Sequence, residues 1–211
     1  MKKIILTIAA VFALSFANAQ SNKKGTIHVN VLGAFLVGNS TSKADVEGST
    51  KYKFSANSAN FGAQFQYGLS DKLSAGIGFE TGTTNLTPKD KTIYPVSPTL
   101  SISKFNLSGR YYFLNQDTYN VYAGPSIGYT SGKDKTFYSV YDNYSTKFSG
   151  LNYGINVGGN YFFTDVIGVN VNLGYEGNNL KGTSTQTGYP DETGKVTLGG
   201  LKILAGLALK F

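Results

Sequence analysis

The sequence predicts an all-β chain, an eight-stranded antiparallel up-and-down transmembrane β-barrel. Three observations predict it. Apolar and polar residues alternate with a period of two in eight segments, and the connections between those segments alternate between short and long. The 211 residues include 26 Gly, 15 Tyr and 14 Phe, but only 15% are charged, where a soluble domain carries about 25% charge and about 7% Gly. Nineteen Lys and Arg against twelve Asp and Glu give +7. The excess is spread thinly along the chain and is no nucleic-acid footprint.

The chain opens with Lys2 and Lys3, an apolar run from Ile4 to Ala17, and Ala17-Asn18-Ala19 before Gln20. These are the three parts of a secretory signal peptide, and the run is shorter than the roughly 20 residues that span a bilayer. Residues 1–19 are expected to be removed, leaving a barrel domain over 20–211. No later stretch is long and apolar enough for a transmembrane helix. Export without Cys leaves no disulfide to hold the fold, so stability must come from sheet closure and packing.

Each strand then follows from its alternation. Ile27, Val29, Val31, Phe35 and Val37 oppose His28, Asn30, Leu32 and Ala34. Phe61, Ala63, Phe65 and Tyr67 oppose Gly62, Gln64, Gln66 and Gly68; Leu73, Ala75, Ile77 and Phe79 oppose Ser74, Gly76, Gly78 and Glu80. Phe105, Leu107, Tyr111 and Phe113 alternate with Lys104, Asn106, Ser108, Arg110 and Tyr112, and Val121, Ala123 and Ile127 with Tyr122, Gly124, Ser126 and Gly128. Tyr153, Ile155, Val157 and Tyr161 alternate with Gly154, Asn156, Gly158 and Asn160. Ile167, Val169, Val171, Leu173 and Tyr175 form the seventh apolar face, and Leu201, Ile203, Ala205, Leu207, Leu209 and Phe211 the eighth. Residues 69–72, 114–118 and 164–165 read as tight turns. Residues 39–53, 83–99, 131–147 and 178–195 read as long polar loops, all at the opposite end.

Periodicity alone does not say which face points outward. A soluble sandwich or a lipocalin-like barrel alternates too, with its apolar face inside. Two features choose the membrane barrel. The Gly, Asn, Gln and Lys face suits a narrow lumen, and Tyr67, Tyr111, Phe113, Tyr161, Phe163 and Phe211 gather near the turns while Tyr129, Tyr153 and Tyr175 gather near the loops, as two aromatic girdles would.

With its Asn18-Ala19-Gln20 processing site, its Gly-aromatic strands and its closing strand Leu201 to Phe211, the chain resembles the small outer-membrane β-barrels of the OmpA/OmpX type, in particular the porin-family barrels of Bacteroidetes. The resemblance implies a bacterial outer-membrane protein whose terminal Phe211 is the assembly signal read by the barrel-insertion machinery. No peptidoglycan-binding domain follows Phe211, a departure from the full-length OmpA arrangement.

Chemistry is sparse. Nucleophilic catalysis by outer-membrane lipid-modifying barrels needs a His near the outer leaflet. The single His28 belongs to the turn end and is expected to be structural. Asp134, Asp142, Asp191 and Glu192 lack calcium-loop spacing, so neither a metal nor a cofactor is expected. Inward alternation places Glu80, Lys104, Arg110, Glu176 and Lys202 in the lumen, Glu80 between the heights of Lys104 and Arg110, and Glu176 level with Lys202. Buried charges need partners, and these are expected to form salt bridges that plug the barrel, with Gly76, Gly78, Gly124, Gly128, Gly154 and Gly158 making room for them. The function expected is a non-enzymatic structural barrel with interacting surface loops; the alternative is a narrow channel for ions or small solutes. Ten loop lysines against seven loop acids suit a lipopolysaccharide neighbour. Phe137, Tyr138, Tyr141 and Tyr144 are expected to extend the third hairpin above the membrane.

Overall fold

The computed structural model describes residues 21–90, 92, 97–134, 144–186, 188 and 190–211. Eight strands follow in chain order: β1 (Ile27–Ala44), β2 (Lys51–Ser70), β3 (Leu73–Pro88), β4 (Thr99–Asn115), β5 (Tyr119–Asp134), β6 (Tyr144–Phe162), β7 (Ile167–Gln186) and β8 (Glu192–Lys210). Each pairs antiparallel with its chain neighbours, and β1 pairs with β8, closing the ring. At the seam the Ile27 amide donates to the Phe211 carbonyl at 2.8 Å and the Phe211 amide donates back to Ile27 at 2.9 Å.

The register sets the size of the barrel. From His28 the pairing runs through Gln66, Gly76, Ser108, Ser126, Gly154, Glu176 and Gly200, and returns to β1 at Gly38, ten residues from its start. Eight strands with that stagger tilt by about 40° and enclose a backbone radius of about 8 Å. Side chains reaching in from opposite walls meet at the axis. Crowding also acts between neighbouring strands. A Cβ on Gly124 would stand 1.8 Å from the Gly109 carbonyl oxygen and 3.1 Å from the Arg110 Cα, so the glycine accommodates the neighbouring backbone as much as any long side chain.

The apolar face points outward. Val31, Phe35, Val37, Phe61, Ile77, Phe79, Phe105, Leu107, Ile155, Leu173, Leu201 and Ile203 are all exposed, while His28, Asn30, Gln66, Lys104, Asn152, Asn170 and Glu176 are buried inside. A surface this oily is stable against lipid and not against water.

The long polar loops contract sharply. Most of 39–53 and 178–195 and a large part of 83–99 and 131–147 is strand, and the connections on that side span only residues 45–50, 89–98, 135–143 and 187–191. The alternation does not stop there; it inverts. Thr41, Lys43, Lys53, Ser55, Thr87, Lys133, Lys181, Lys195 and Thr197 now lie on the outward side. Phe54, Ala56, Leu86, Leu100, Ile102 and Leu198 are buried inside with Leu36, and Tyr52 and Phe148 pack against them. The half of the barrel beyond the lipid-facing band thus has the polarity of a soluble barrel with its own small core. Phe137, Tyr138 and Tyr141 lie outside the described residues. Tyr144 opens β6.

Candidate functional site

Where the lipid-facing band ends, four of the five charges that the sequence places inward converge across the lumen. Lys104 on β4 bonds Glu176 on β7. Lys202 on β8 bonds Glu176 Oε2 at 2.6 Å and Glu80 on β3 at 2.7 and 2.8 Å. Asn178 donates a further hydrogen bond to Glu176 Oε1 at 3.1 Å. All four charged residues are buried. Lys104 faces Glu80 in register yet gives its ammonium to Glu176, three strands away. Glu176 lies opposite Gly200, while Lys202 lies opposite Gly174; the long lysine side chain bridges the offset. The cluster braces β3, β4, β7 and β8 against one another.

Arg110 stands apart from these ion pairs. Its Nη2 donates to Gln64 Oε1 at 2.7 Å, and its guanidinium lies 4.2 Å from the centre of the Tyr122 ring. Among the described residues no carboxylate lies within ion-pairing distance of it.

Toward the turn end a hydrogen-bonded layer fills the lumen. Asn170 donates to Asn160 Oδ1 at 2.7 Å and to the Tyr122 hydroxyl at 2.8 Å, the Tyr122 hydroxyl donates to Asn172 Oδ1 at 2.8 Å, and Asn160 donates to Asn120 Oδ1 at 2.8 Å. Residues ahead of β1 fold in to cap this layer. Asn120 donates to Ser21 Oγ at 2.5 Å, Asn22 donates to the Ser70 carbonyl at 2.8 Å, and Asn115 donates to the Asn22 carbonyl at 2.7 Å. His28 is sealed against Tyr112 and Phe162, with ring centres 6.5 and 5.9 Å away. Among the described residues no Ser hydroxyl or carboxylate bonds its ring, and no three His, Cys, Asp or Glu side chains group to hold a metal.

Beyond the charge cluster lies the apolar cup. A cavity of about 220 Å³ opens among Tyr52, Phe54, Leu86, Leu100, Phe148 and Val196. On the outer wall of this projecting segment, register opposes lysine to lysine: Lys51 faces Lys43, Lys43 faces Lys195, Lys195 faces Lys181, and farther round Lys133 faces Lys147. Of these, Lys195 reaches Asp45 at 3.7 Å.

A family model for the outer membrane protein beta-barrel domain matches residues 5–210. The chain belongs to this family. As an outer-membrane β-barrel it resides in the bacterial outer membrane, among lipid and lipopolysaccharide, with its short turns facing the periplasm. No curated protein matches its sequence. Its fold is similar to that of the outer membrane protein OprG from Pseudomonas aeruginosa, at 16% identity and a TM-score of 0.73 over 90% of this chain and 98% of that one. It is also similar to the outer membrane protein AlkL, at 16% identity and a TM-score of 0.61 over 92% and 94% of the two chains. The outer membrane protease OmpT from Escherichia coli matches at 11% identity and a TM-score of 0.51, over 92% and 99%. At these identities the likeness is one of fold alone.

The energetics of the barrel's charge cluster differ from those of its surface pairs. Glu176→Gln removes the carboxylate that Lys104 and Lys202 share inside the barrel, and unpairing a buried charge costs about 3–5 kcal/mol. Asp45→Asn removes an exposed pair worth less than about 1 kcal/mol. Urea unfolding of the barrel in lipid vesicles should show a large loss for the first variant and none resolvable for the second. Equal midpoints for Glu176→Gln and wild type would mean that water already reaches the cluster.

Proposed function

We propose that this protein is a non-enzymatic structural barrel of the outer membrane, with a lumen closed by its own side chains. The observation that carries this reading is the ion cluster of Glu80, Lys104, Glu176 and Lys202, set above the Asn and Tyr layer in a barrel of about 8 Å radius. An open path would need these pairs to part, leaving charges unpaired in a narrow space. The burial of His28 between two aromatic rings supports a structural role for the chain's single histidine.

The outer wall supports the interacting role. Like charges directly opposite on neighbouring strands destabilise a sheet, yet Lys51, Lys43, Lys195 and Lys181 form one register row across four consecutive strands. Lys43 lies six residues beyond Val37, the last exposed apolar residue of β1 before the loop, a height of about 15 Å along the axis. An anionic glycolipid surrounding the barrel offsets that repulsion, and lipopolysaccharide phosphates are the partner this belt fits. Residues 1–19 act as the export signal. Phe211, whose backbone completes the β1–β8 seam, acts as the terminal signal for barrel assembly.

Purified protein in planar bilayers is expected to show no steady conductance, whereas Arg110→Ala with Lys202→Ala opens a leak. A large, stable wild-type conductance at neutral pH would replace the closed barrel with a channel. For the outer belt, Lys43→Gln, Lys181→Gln and Lys195→Gln together should lower the lipopolysaccharide retained per barrel, measured by native mass spectrometry, by about tenfold. Unchanged retention would remove the belt from the account.

A further inference from the structure

We infer that the lumen holds a bound monovalent anion, chloride under physiological conditions, at Arg110. Charge counting gives the first reason. Glu80 and Glu176 are matched by Lys104 and Lys202, and every oxygen of the two carboxylates takes a hydrogen bond from those lysines. The Arg110 guanidinium is left over, as is Lys210 at the turn rim, whose ammonium lies over the Phe162 ring. Arg110 is 5% exposed, and a guanidinium stays charged at any pH a protein meets, so it cannot relieve its burial by losing a proton. A charge removed from water without a counter-charge is strongly unfavourable. The Tyr122 ring face and the Gln64 carbonyl supply partial compensation, but neither carries a full negative charge.

Geometry gives the second reason. Arg110 Nη1 is buried and has no hydrogen-bond partner, and Arg110 lines a lumen cavity of about 50 Å³ with Gln64, Asn106, Ser108, Ser126 and Asn156. A water needs roughly 10–15 Å³ measured the same way, so the space holds a chloride ion with a water or two. The wall is rich in donors. Ser108 Oγ accepts from Gln66 Nε2 at 2.6 Å, which leaves its own hydroxyl proton to give. Glu80 and Glu176 also line the cavity; with their charge cancelled by the lysines, they do not exclude a second anion beside Arg110. The site binds halide-sized anions by one guanidinium and neutral donors. Its ligand supplies the counter-charge of Arg110 on the turn side of the Glu and Lys cluster.

The test refolds the full barrel into detergent in chloride, bromide or gluconate at equal ionic strength. Wild type should melt about 3 °C higher in chloride and in bromide than in gluconate, which is too large for the cavity. Arg110→Met should lose that difference, and crystals grown in bromide should show anomalous density within hydrogen-bonding reach of Arg110 Nη1. Equal melting in the three salts, water instead of bromide at Nη1, or a halide effect that persists in Arg110→Met and so belongs to the surface lysines, would each overturn the inference. If Arg110→Met does not refold, the wild-type melting series and the bromide density decide.

Discussion

Closure of eight strands with a stagger of ten residues is the constraint on which the rest of the molecule depends. It fixes a backbone radius of about 8 Å, so narrow that side chains from opposite walls meet at the axis. The lumen therefore has to be treated as a protein interior, where polar groups need partners and charges need opposite charges. Asn120, Asn160, Asn170, Asn172 and Tyr122 satisfy one another at the periplasmic end, and Glu80, Lys104, Glu176 and Lys202 do so farther up. The same tilt that closes the ring brings residues three strands apart to one height, which is why Lys104 finds Glu176 across the lumen.

A second consequence comes from what surrounds the wall. In lipid the stable arrangement puts hydrocarbon outside and polar groups inside; in water the reverse holds. The strands are long enough to meet both. Around Val37, Tyr175 and Leu201 the outward face changes from apolar residues to Thr, Asn and Lys, and Phe54, Leu86, Leu100 and Leu198 take over the inward face. One continuous sheet thus carries a membrane segment and a projecting segment of opposite polarity, joined near the ion cluster. That cluster divides the polar, hydrogen-bonded lumen below from the apolar cup above.

Much of this was legible from residue spacing, because a period of two survives any environment. The eight strands and the sharing of one face by Glu80, Lys104, Arg110, Glu176 and Lys202 follow from it; that this face is the inner one came from the Gly, Asn and Gln beside them and from the aromatic girdles. Four features were not legible. The projecting strands read as loops, since their outward Ser, Thr and Lys mask the inward Phe54, Leu86 and Leu100 unless the alternation is followed past the point where it changes sign. The partners of the charges depend on tilt and closure, so Arg110 was grouped with acids that it does not reach. The cap formed by Ser21 and Asn22 has no periodicity to announce it. The opposed lysines become visible only once register places Lys43 between Lys51 and Lys195.

The polarity switch along a single strand is the central claim, and a spin-label depth profile along β1 tests it most directly. The chain has no Cys, so one label at a time can be introduced at Val31, Phe35, Val37, Thr41 and Lys43 in the barrel reconstituted in lipid. Collision with oxygen should dominate at Val31, Phe35 and Val37, and collision with a water-soluble nickel complex at Thr41 and Lys43, with the crossover between Val37 and Thr41. Lipid exposure that continues to Lys43, or water exposure that begins at Val31, would contradict the account.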